Sequence, residues 1–410
     1  MSPAALIWTG ILVVVLGLAT ANPVVIIPGV LVLATVGLAR LWTEGVVKGH
    51  VSYALSLARH RAKPGDRVPG HLEIKNSQPF PVPWLDCSTE WPAELGAAKS
   101  LIAAHYKVNR NVLRNVMSLR WFERVVRRFE VLCTVRGEFI LGPAELTVAD
   151  PFGFFEARRQ VQDTARIVVY PRVVRLVLPP LATRSPFGER AVRSFVFDDP
   201  LCLRGAREYC TTDPFSRIEW KATARTGRLQ TRLVDASFST EAALVIDVST
   251  GEHIWDGVDR GLLERTLVVG ASVLNHCLES GYRFGVYTNG FVRGSGTPAA
   301  VRMGAGKNHF RACMEVIARL QPALRARSEA VLVALDRTLS DRAHMLLVTS
   351  LPSPSLMRHV TRLRSQGRAI SVVLTGHLRP GMRTGAPTYS VLEQEAWDEI
   401  AKITLQRIGG

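Results

Sequence analysis

The fold of the C-terminal part is decided by residues 242–251, which read Ala-Ala-Leu-Val-Ile-Asp-Val-Ser-Thr-Gly. A short apolar run that ends in polar residues predicts a strand buried on both faces of a parallel sheet. Similar runs at 283–287, 344–349 and 369–374 alternate with predicted helices at 260–280, 310–320, 329–339, 356–365 and 393–407. Strands that alternate with helices predict a doubly wound, mainly parallel α/β domain over residues 241–410.

Residues 46–178 follow another pattern, which predicts a β-sandwich. Residues 50–57 and 71–75 alternate between apolar and polar side chains, and Pro64-Gly65-Asp66 between them is a turn signal. Further short strands are predicted at 129–135, 139–141, 146–148 and 166–170, separated by turns such as Gly142-Pro143. Several short strands with regular turn signals are typical of two packed sheets.

The first 45 residues predict a transmembrane helical hairpin. No charged side chain precedes Arg40, and the apolar run from Ala4 to Ala21 corresponds to about 27 Å of helix, close to the thickness of bilayer hydrocarbon. Asn22-Pro23 interrupts this run, and a second apolar run extends from Val24 to Leu41. Two membrane passes with so short a link form a hairpin.

A secretory signal is the alternative, because Ala19-Thr20-Ala21 resembles a cleavage site. The missing basic segment and the second apolar run favour an anchor instead. Positive charges cluster at and after the end of the second run, at Arg40, Lys48, Arg59 and Arg61. The positive-inside rule therefore predicts a cytosolic body.

The chain is basic, with 51 Lys and Arg against 35 Asp and Glu and a formal charge of +16. Such a charge suits nucleic acid, anionic lipid or an acidic protein. A membrane tether favours lipid, and no nucleic-acid-binding module surrounds the basic and aromatic stretch 120–128. The six cysteines form no Cys-x-x-Cys pair, which predicts reduced thiols in a cytosolic body.

Residues 179–240 predict a connector that carries a basic segment. Seven Lys and Arg and three Asp and Glu lie between Arg204 and Arg232. We expect this segment to bind a partner or an anion, and Trp220 to anchor it by packing. The alternative is an internal salt-bridge network. The candidate partner-binding residues are Arg207, Glu208, Asp213, Arg217, Trp220, Lys221 and Arg225.

An ordered series of motifs extends along nearly the whole chain. The series is Arg136-Gly137, Leu141-Gly142-Pro143, Asp150-Pro151-Phe152-Gly153-Phe154-Phe155, Tyr170-Pro171, Arg207-Glu208-Tyr209 and Arg217-Ile218-Glu219-Trp220-Lys221-Ala222-Thr223-Ala224-Arg225. In this series the chain resembles the domain of unknown function 58 family of bacterial membrane proteins. The resemblance implies an α/β domain similar to the von Willebrand factor A fold, and partnership with MoxR-type AAA+ ATPases. It implies a place in the inner or plasma membrane and no established catalytic activity. One departure is Cys210-Thr211-Thr212-Asp213, where the family has a Pro-Gly-Asp-like turn.

A second departure concerns metal binding. The von Willebrand factor A fold can hold Mg²⁺ through an Asp-x-Ser-x-Ser loop, and this chain offers Asp247 and Ser249 but Gly251 in the last place. A later strand ends in Thr349-Ser350-Leu351 without the second Asp. Asp247 and Ser249 are thus candidate metal ligands of a degenerate site. A carboxylate that caps its own loop is the favoured alternative for Asp247.

The apolar hairpin predicts a membrane-anchored protein, and the resemblance implies an interaction or scaffold protein that acts with a MoxR-type AAA+ ATPase in a chaperone-like or assembly role. We predict no catalytic residue and, apart from Mg²⁺ at the degenerate Asp247 site, no cofactor. The sequence contains no His-Glu-x-x-His, no Gly-x-Ser-x-Gly and no complete phosphate loop. The alternative is a metal-assisted hydrolase around Asp247, helped by Asp213 or Glu219.

Overall fold

The computed structural model describes most of the chain as two compact units. The described residues are 3–47, 51–98, 102–104, 110–177, 203–209, 218, 220–234, 241–251, 258–292, 297–341, 343–376, 384–391 and 402–409. The first unit comprises Met1–Arg172 with Ile317–Arg319, and the second comprises Val173–Val316 with Leu320–Gly410. The finer division at residues 45, 178 and 240 stays a prediction.

The first unit begins with two apolar helices, α1 (Pro3–Ala19) and α2 (Pro23–Val47). The side chain of Asn22 between them accepts a hydrogen bond from the Val24 N–H, as a helix N-cap does. The helices approach closely at Gly17, where a Cβ atom would lie 2.6 Å from Cγ1 of Ile26. Over Pro23–Gly45, with a mean hydropathy of 2.3, α2 is long and apolar enough to cross a membrane, whereas the apolar helix Ala4–Ala19 is shorter.

The remainder of the first unit is rich in sheet. Its strands are β1 (Val51–Leu57), β2 (Arg61–Ala62), β3 (Arg67–Asn76), β4 (Val82–Pro92), β5 (Gly96–Ala98), β6 (Ile102–Ala104), β7 (Arg110–Leu119), β8 (Arg124–Leu132), β9 (Gly137–Leu141), β10 (Ala144–Ala149), β11 (Glu156–Val161) and β12 (Ala165–Val169). They form sheets in the orders β1-β3-β8-β5, β11-β10-β4-β7-β6 and β2-β12-β9. The prediction of a sheet-rich domain is confirmed.

The sheets of this unit share one apolar core. Side chains of β1 alternate between buried and exposed, so that every second residue points inward. Trp91 from one sheet meets Phe129 from the other edge to face, with ring centroids 5.6 Å apart. Strand β4 was not predicted because its sequence begins Val82-Pro83. The register shift between Val82 and Leu85 accommodates this proline, because an irregular strand end needs no ladder hydrogen bond there.

The second unit alternates strands and helices. Its strands are β13 (Arg175–Val177), β14 (Leu203–Glu208), β15 (Gln230–Val234), β16 (Glu241–Ile246), β17 (Arg283–Thr288), β18 (Gly290–Val292), β19 (Ala300–Gly304), β20 (Leu320–Leu324), β21 (His344–Thr349), β22 (Ile370–Leu374), β23 (Thr388–Val391) and β24 (Lys402–Gly409). Its helices are α3 (Trp220–Thr226), α4 (Arg260–Glu279), α5 (Gly306–Arg319), α6 (Ser328–Thr338) and α7 (Pro354–Ser365).

The main sheet has the order β13-β24-β23-β22-β21-β16-β17-β19. The strands from β23 to β17 run parallel, whereas β19 and β24 pair antiparallel with them. Helix α4 covers one face, since Gly270 lies against Leu244 and Ile246. Helices α6 and α7 pack on the other face, where Val245 and Leu347 lie. The sheet is therefore mixed, with a parallel centre and helices on both faces.

The predicted closing helix at 393–407 is wrong in its last part. Lys402–Gly409 is the strand β24, and residues 392–401 lie outside the described residues. Ile403 and Leu405 are buried while Lys402 and Gln406 are exposed, which is the alternation of a strand. Pairing with β13 and β23 outweighs the weak helical pattern of this segment.

Candidate functional site

A polar cluster lies at the carboxyl ends of the central parallel strands. Asp247 follows β16, Asn289 follows β17 and Thr349 ends β21, while Ser328 begins α6. Because parallel strands end at one edge of a sheet, these side chains meet there, where α/β folds commonly bind ligands. All four are almost fully buried.

Both carboxylate oxygens of Asp247 are engaged. Oδ1 accepts hydrogen bonds from the Ser249 N–H at 2.9 Å and from Nδ2 of Asn289 at 2.8 Å. Oδ2 accepts one from the Thr349 hydroxyl at 2.9 Å. With only 2% of its surface exposed, Asp247 closes its own loop and ties β16 to β17 and β21. This is the loop-capping role that the sequence favours.

The amide nitrogen of Asn289 lies at the centre of the cluster. It is 2.8 Å from Oδ1 of Asp247, 3.0 Å from Oγ of Ser249 and 2.9 Å from Oγ of Ser328. The amide oxygen accepts a hydrogen bond from the Val248 N–H at 2.9 Å, which fixes the orientation of the amide. Three oxygens, two from the loop after β16 and one from the start of α6, thus converge on one nitrogen.

This donor set does not fit Mg²⁺. The ion needs oxygen ligands at about 2.0–2.1 Å in near-octahedral geometry, and the amide group of Asn289 takes the place where the oxygens converge. Within the described ranges, no three His, Cys, Asp or Glu side chains form a group that could hold a metal ion. The structure brings the predicted ligands Asp247 and Ser249 together, and their metal-binding role stays a prediction that the geometry disfavours.

Asn289 and Ser328 were not predicted. Asn289 stands in Thr288-Asn289-Gly290, directly after a buried strand. Polar residues at the end of this strand are the sequence feature that could have indicated its place in the site. Ser328 offers no such signal, because a serine that begins a helix is most often a cap. Its place beside Asn289 depends on how α6 packs on the sheet.

The basic segment is built on the hairpin of β14 and β15. Arg207 pairs with Thr231 and Glu208 with Gln230 across this hairpin. The Glu208 carboxylate and the Arg228 guanidinium form an exposed ion pair at 2.9 Å. Two of the predicted partner-binding residues, Asp213 and Arg217, lie outside the described residues.

Helix α3 presents three further predicted residues to solvent. The Thr223 hydroxyl accepts a hydrogen bond from the Gln230 N–H at 3.0 Å, which fastens the helix to β15. The helix ends before Gly227, whose φ of 67° suits a residue without a side chain. Lys221 and Arg225 are exposed one turn apart, and within the described part of the chain no carboxylate lies at ion-pair distance from either.

The predicted packing role of Trp220 is wrong. Its side chain, at the first position of α3, is 66% exposed. Ile218, two positions earlier, is buried. Among the residues that the structure describes, most of the aromatic surface of Trp220 is left uncovered.

The described cysteines are poor nucleophiles. Burial raises the pKa of Cys87, Cys277 and Cys313 to about 12, so their thiols stay protonated at neutral pH. Cys133, also buried, has its pKa raised to about 11 by the same cause. All four are free thiols.

The fold defines a class of protein in which an N-terminal apolar helix and a sheet-rich unit precede a mixed α/β sheet. Residues 205–380 match the family model described as protein of unknown function DUF58. This match confirms the predicted resemblance to that family over residues 205–380.

Other comparisons are weaker. No curated protein matches the chain. The CARDB domain of a Pyrococcus furiosus protein is 13% identical, with 29% of this chain and 86% of that domain covered and a TM-score of 0.20. A non-cellulosomal cohesin from Archaeoglobus fulgidus is 12% identical, with 29% and 91% covered and a TM-score of 0.20. TM-scores this low carry no argument about this chain.

Proposed function

We propose that this chain is a membrane-anchored interaction protein that acts with a MoxR-type AAA+ ATPase in a chaperone-like or assembly role. The observation that carries the proposal is the exposed face of α3, where Trp220 stands beside Lys221 and Arg225. Tryptophan and arginine are the residues most enriched among those that dominate protein–protein affinity. A surface tryptophan flanked by cations suits a partner with an apolar pocket and an acidic rim.

The anchor in this proposal is a two-pass hairpin in the bacterial inner membrane. Large apolar side chains of both helices are exposed, among them Leu12, Leu16, Val24, Leu31 and Leu38. Such a surface is far more stable in lipid than in water. The helices also meet at small residues, Gly10, Gly17 and Gly29, which is typical of membrane helix packing. The charges that follow the second helix favour a cytosolic body.

The proposal also holds that the second unit is similar to the von Willebrand factor A fold and works without a resident metal. Its parallel central strands, its helices on both faces and the Asp247 loop support the similarity. The Asp247 carboxylate supports a binding role over metal-assisted hydrolysis, because it is buried and three hydrogen bonds already engage its two oxygens.

Co-purification from solubilised membranes tests the proposal. We expect the wild-type chain to retain a MoxR-type ATPase, and the triple variant Trp220→Ala, Lys221→Glu, Arg225→Glu to lose it. The matched control reverses Arg358 and Arg362, an exposed pair with the same spacing on α7. Loss in the control as well, or retention in both variants, would refute the assignment of α3 as the partner surface.

A further inference from the structure

Three loops of the first unit lie at the same end of its sheets as the exit of α2. Val51, which follows α2 closely, pairs with Asn76 at the end of β3, and Lys75 pairs with Arg124 at the start of β8. Val82 at the start of β4 pairs with Leu119 at the end of β7. Ala149 pairs with Trp84 and with Glu156, so the end of β10 lies there too. The loops 77–81, 120–123 and 150–155 therefore share this end with the anchor.

These loops expose large aromatic side chains. Phe80, Trp121, Phe122 and Phe152 are each more than half exposed, one or two in each loop. Exposing four aromatic rings to water is unfavourable, because the free-energy cost grows with the exposed apolar area and each ring has a large apolar surface. Clustered exposure of this kind marks an interaction surface.

The same end also carries exposed cations. Lys75 and Arg120 are exposed. The nearby Glu123 carboxylate accepts a hydrogen bond from the Arg120 backbone N–H at 2.6 Å, and Glu73 pairs with Arg124. Lys75 and Arg120 thus remain exposed next to two of the aromatic loops, alongside the carboxylate of Glu123.

Hydrogen bonds hold the loops in place. The buried Asn76 side chain donates to the carbonyls of Phe80 and Arg120, at 2.8 and 2.9 Å, and so links two of the loops. Phe122 has a φ of 53°, a conformation that a residue with a side chain keeps only where its surroundings fix it. In the third loop, the Asp150 carboxylate accepts from the N–H groups of Phe152 and Phe155. The aromatic side chains are therefore presented by ordered loops.

The connection between α2 and the sheets keeps this end of the first unit close to the anchor. Trp42 near the end of α2 packs against the core of the sheets, and Thr43 beside it is buried. From Val47 to Val51 the chain spans at most about 15 Å. If α2 crosses a bilayer, the end with the three loops faces the lipid headgroups.

We propose that the three loops form a second membrane contact, in which Phe80, Trp121, Phe122 and Phe152 insert into the headgroup region of an anionic bilayer and Lys75 and Arg120 bind its phosphates. Aromatic rings prefer this interfacial region, and cations near it gain from anionic lipid. This inference rests on the membrane anchor proposed above. The contact fixes the orientation of the first unit at the membrane surface.

Spin labels on the full chain in anionic phospholipid vesicles test the contact. One label is attached through Phe122→Cys, and the control label through Lys63→Cys, an exposed position at the opposite end of the same unit. The signal of the unsubstituted chain is subtracted. We expect the label at 122 to lose collisions with a water-soluble nickel chelate and gain collisions with lipid-soluble oxygen, and the label at 63 to keep its nickel collisions.

The outcomes separate the two proposals. If the chain resists alkaline extraction from the vesicles but both labels meet the nickel chelate equally, the loop contact is refuted and the anchor survives. If alkaline extraction releases the chain, the anchor fails and the loop contact fails with it. Salt-dependent protection of the label at 122 by RNA, without protection by vesicles, would refute the lipid assignment in favour of a nucleic-acid surface.

Discussion

The cluster around Asp247 and the face of α3 are two polar regions of the same unit, and they differ in their exposure to solvent. At Asp247 the polar groups are buried and bonded to one another, with Asn289 at the centre. On α3, Trp220, Lys221 and Arg225 point to solvent. A saturated buried cluster stabilises a fold, whereas an exposed tryptophan among cations adds little to stability and is available for binding. The difference predicts that substitutions in the two regions change different properties.

The largest expected effect on stability at neutral pH follows from Asp247→Ala. Asn289, Thr349 and the Ser249 N–H would each lose a buried acceptor, so we expect the free energy of unfolding to fall by about 3 kcal/mol. Thermal or denaturant unfolding of the full chain in detergent measures it. Asp259→Ala is the matched control, because Asp259 caps α4 at the surface and its loss should cost only about 1 kcal/mol. Equal effects would refute a special structural role for Asp247.

Adding Mg²⁺ tests whether the side-chain amide of Asn289 occupies the position that a bound cation would take. We expect Mg²⁺ to leave the unfolding temperature of the wild-type chain unchanged. Asn289→Asp keeps an acceptor for the Val248 N–H and places a second carboxylate beside Asp247. Without Mg²⁺ we expect this variant to be less stable than the wild type. When the Mg²⁺ concentration is a hundred times the dissociation constant of the variant for Mg²⁺, bound Mg²⁺ should stabilise it by about 2.7 kcal/mol. Calorimetric titration with Mg²⁺ and Mn²⁺ checks binding directly. Tight binding by the wild type that Asp247→Ala abolishes would restore the metal assignment.

The buried centre of the sheet also predicts a pH dependence. Burial lowers the pKa of His344 to about 3 from its ordinary value of 6.5. The unfolded chain therefore binds a proton that the folded chain excludes, and stability falls as the pH falls from about 6.5 towards 3, by up to about 1.4 kcal/mol per pH unit. His344→Asn should remove this part of the slope. The difference between wild type and variant across this window measures it, and parallel curves would contradict the assignment.

The smallest stability effect is expected on α3. Trp220→Ala should change the free energy of unfolding by no more than about 0.5 kcal/mol, because the side chain is mostly exposed. The same unfolding experiment checks it. A loss as large as that of Asp247→Ala would mean that Trp220 packs in the native state, and would remove the contrast between the two regions.

Much of the fold could be predicted because burial leaves a periodic trace in sequence. Continuous apolar runs mark β16, β21 and β22, whose residues are buried on both faces, and the long periodic helix α4 was placed to within one residue. The segment at β24 was mistaken for a helix, because its partners β13 and β23 are distant in sequence and pairing decides its structure. Local patterns carry no information about such partners.

The candidate site could also be predicted only in part, because sequence patterns are local. Asp247 and Ser249 follow a recognisable strand and were found together. The role of Asn289 depends on oxygens from the loop after β16 and from α6, and the position of α3 depends on the hydrogen bond that fastens it to β15. Sequence indicates which residue types are present near a strand end or in a basic segment. It leaves open whether a side chain faces inward or outward.

The affinity of the purified full chain for a MoxR-type ATPase tests the central claim most directly. Lys221→Glu and Arg225→Glu with Trp220→Ala should raise the Kd by about thirtyfold or more, as loss of about 2 kcal/mol at a dominant contact does, with stability nearly unchanged. Arg358→Glu with Arg362→Glu on α7 should leave the Kd as it is. An unchanged Kd for the α3 variant, or an equal rise for the α7 control, would contradict the account.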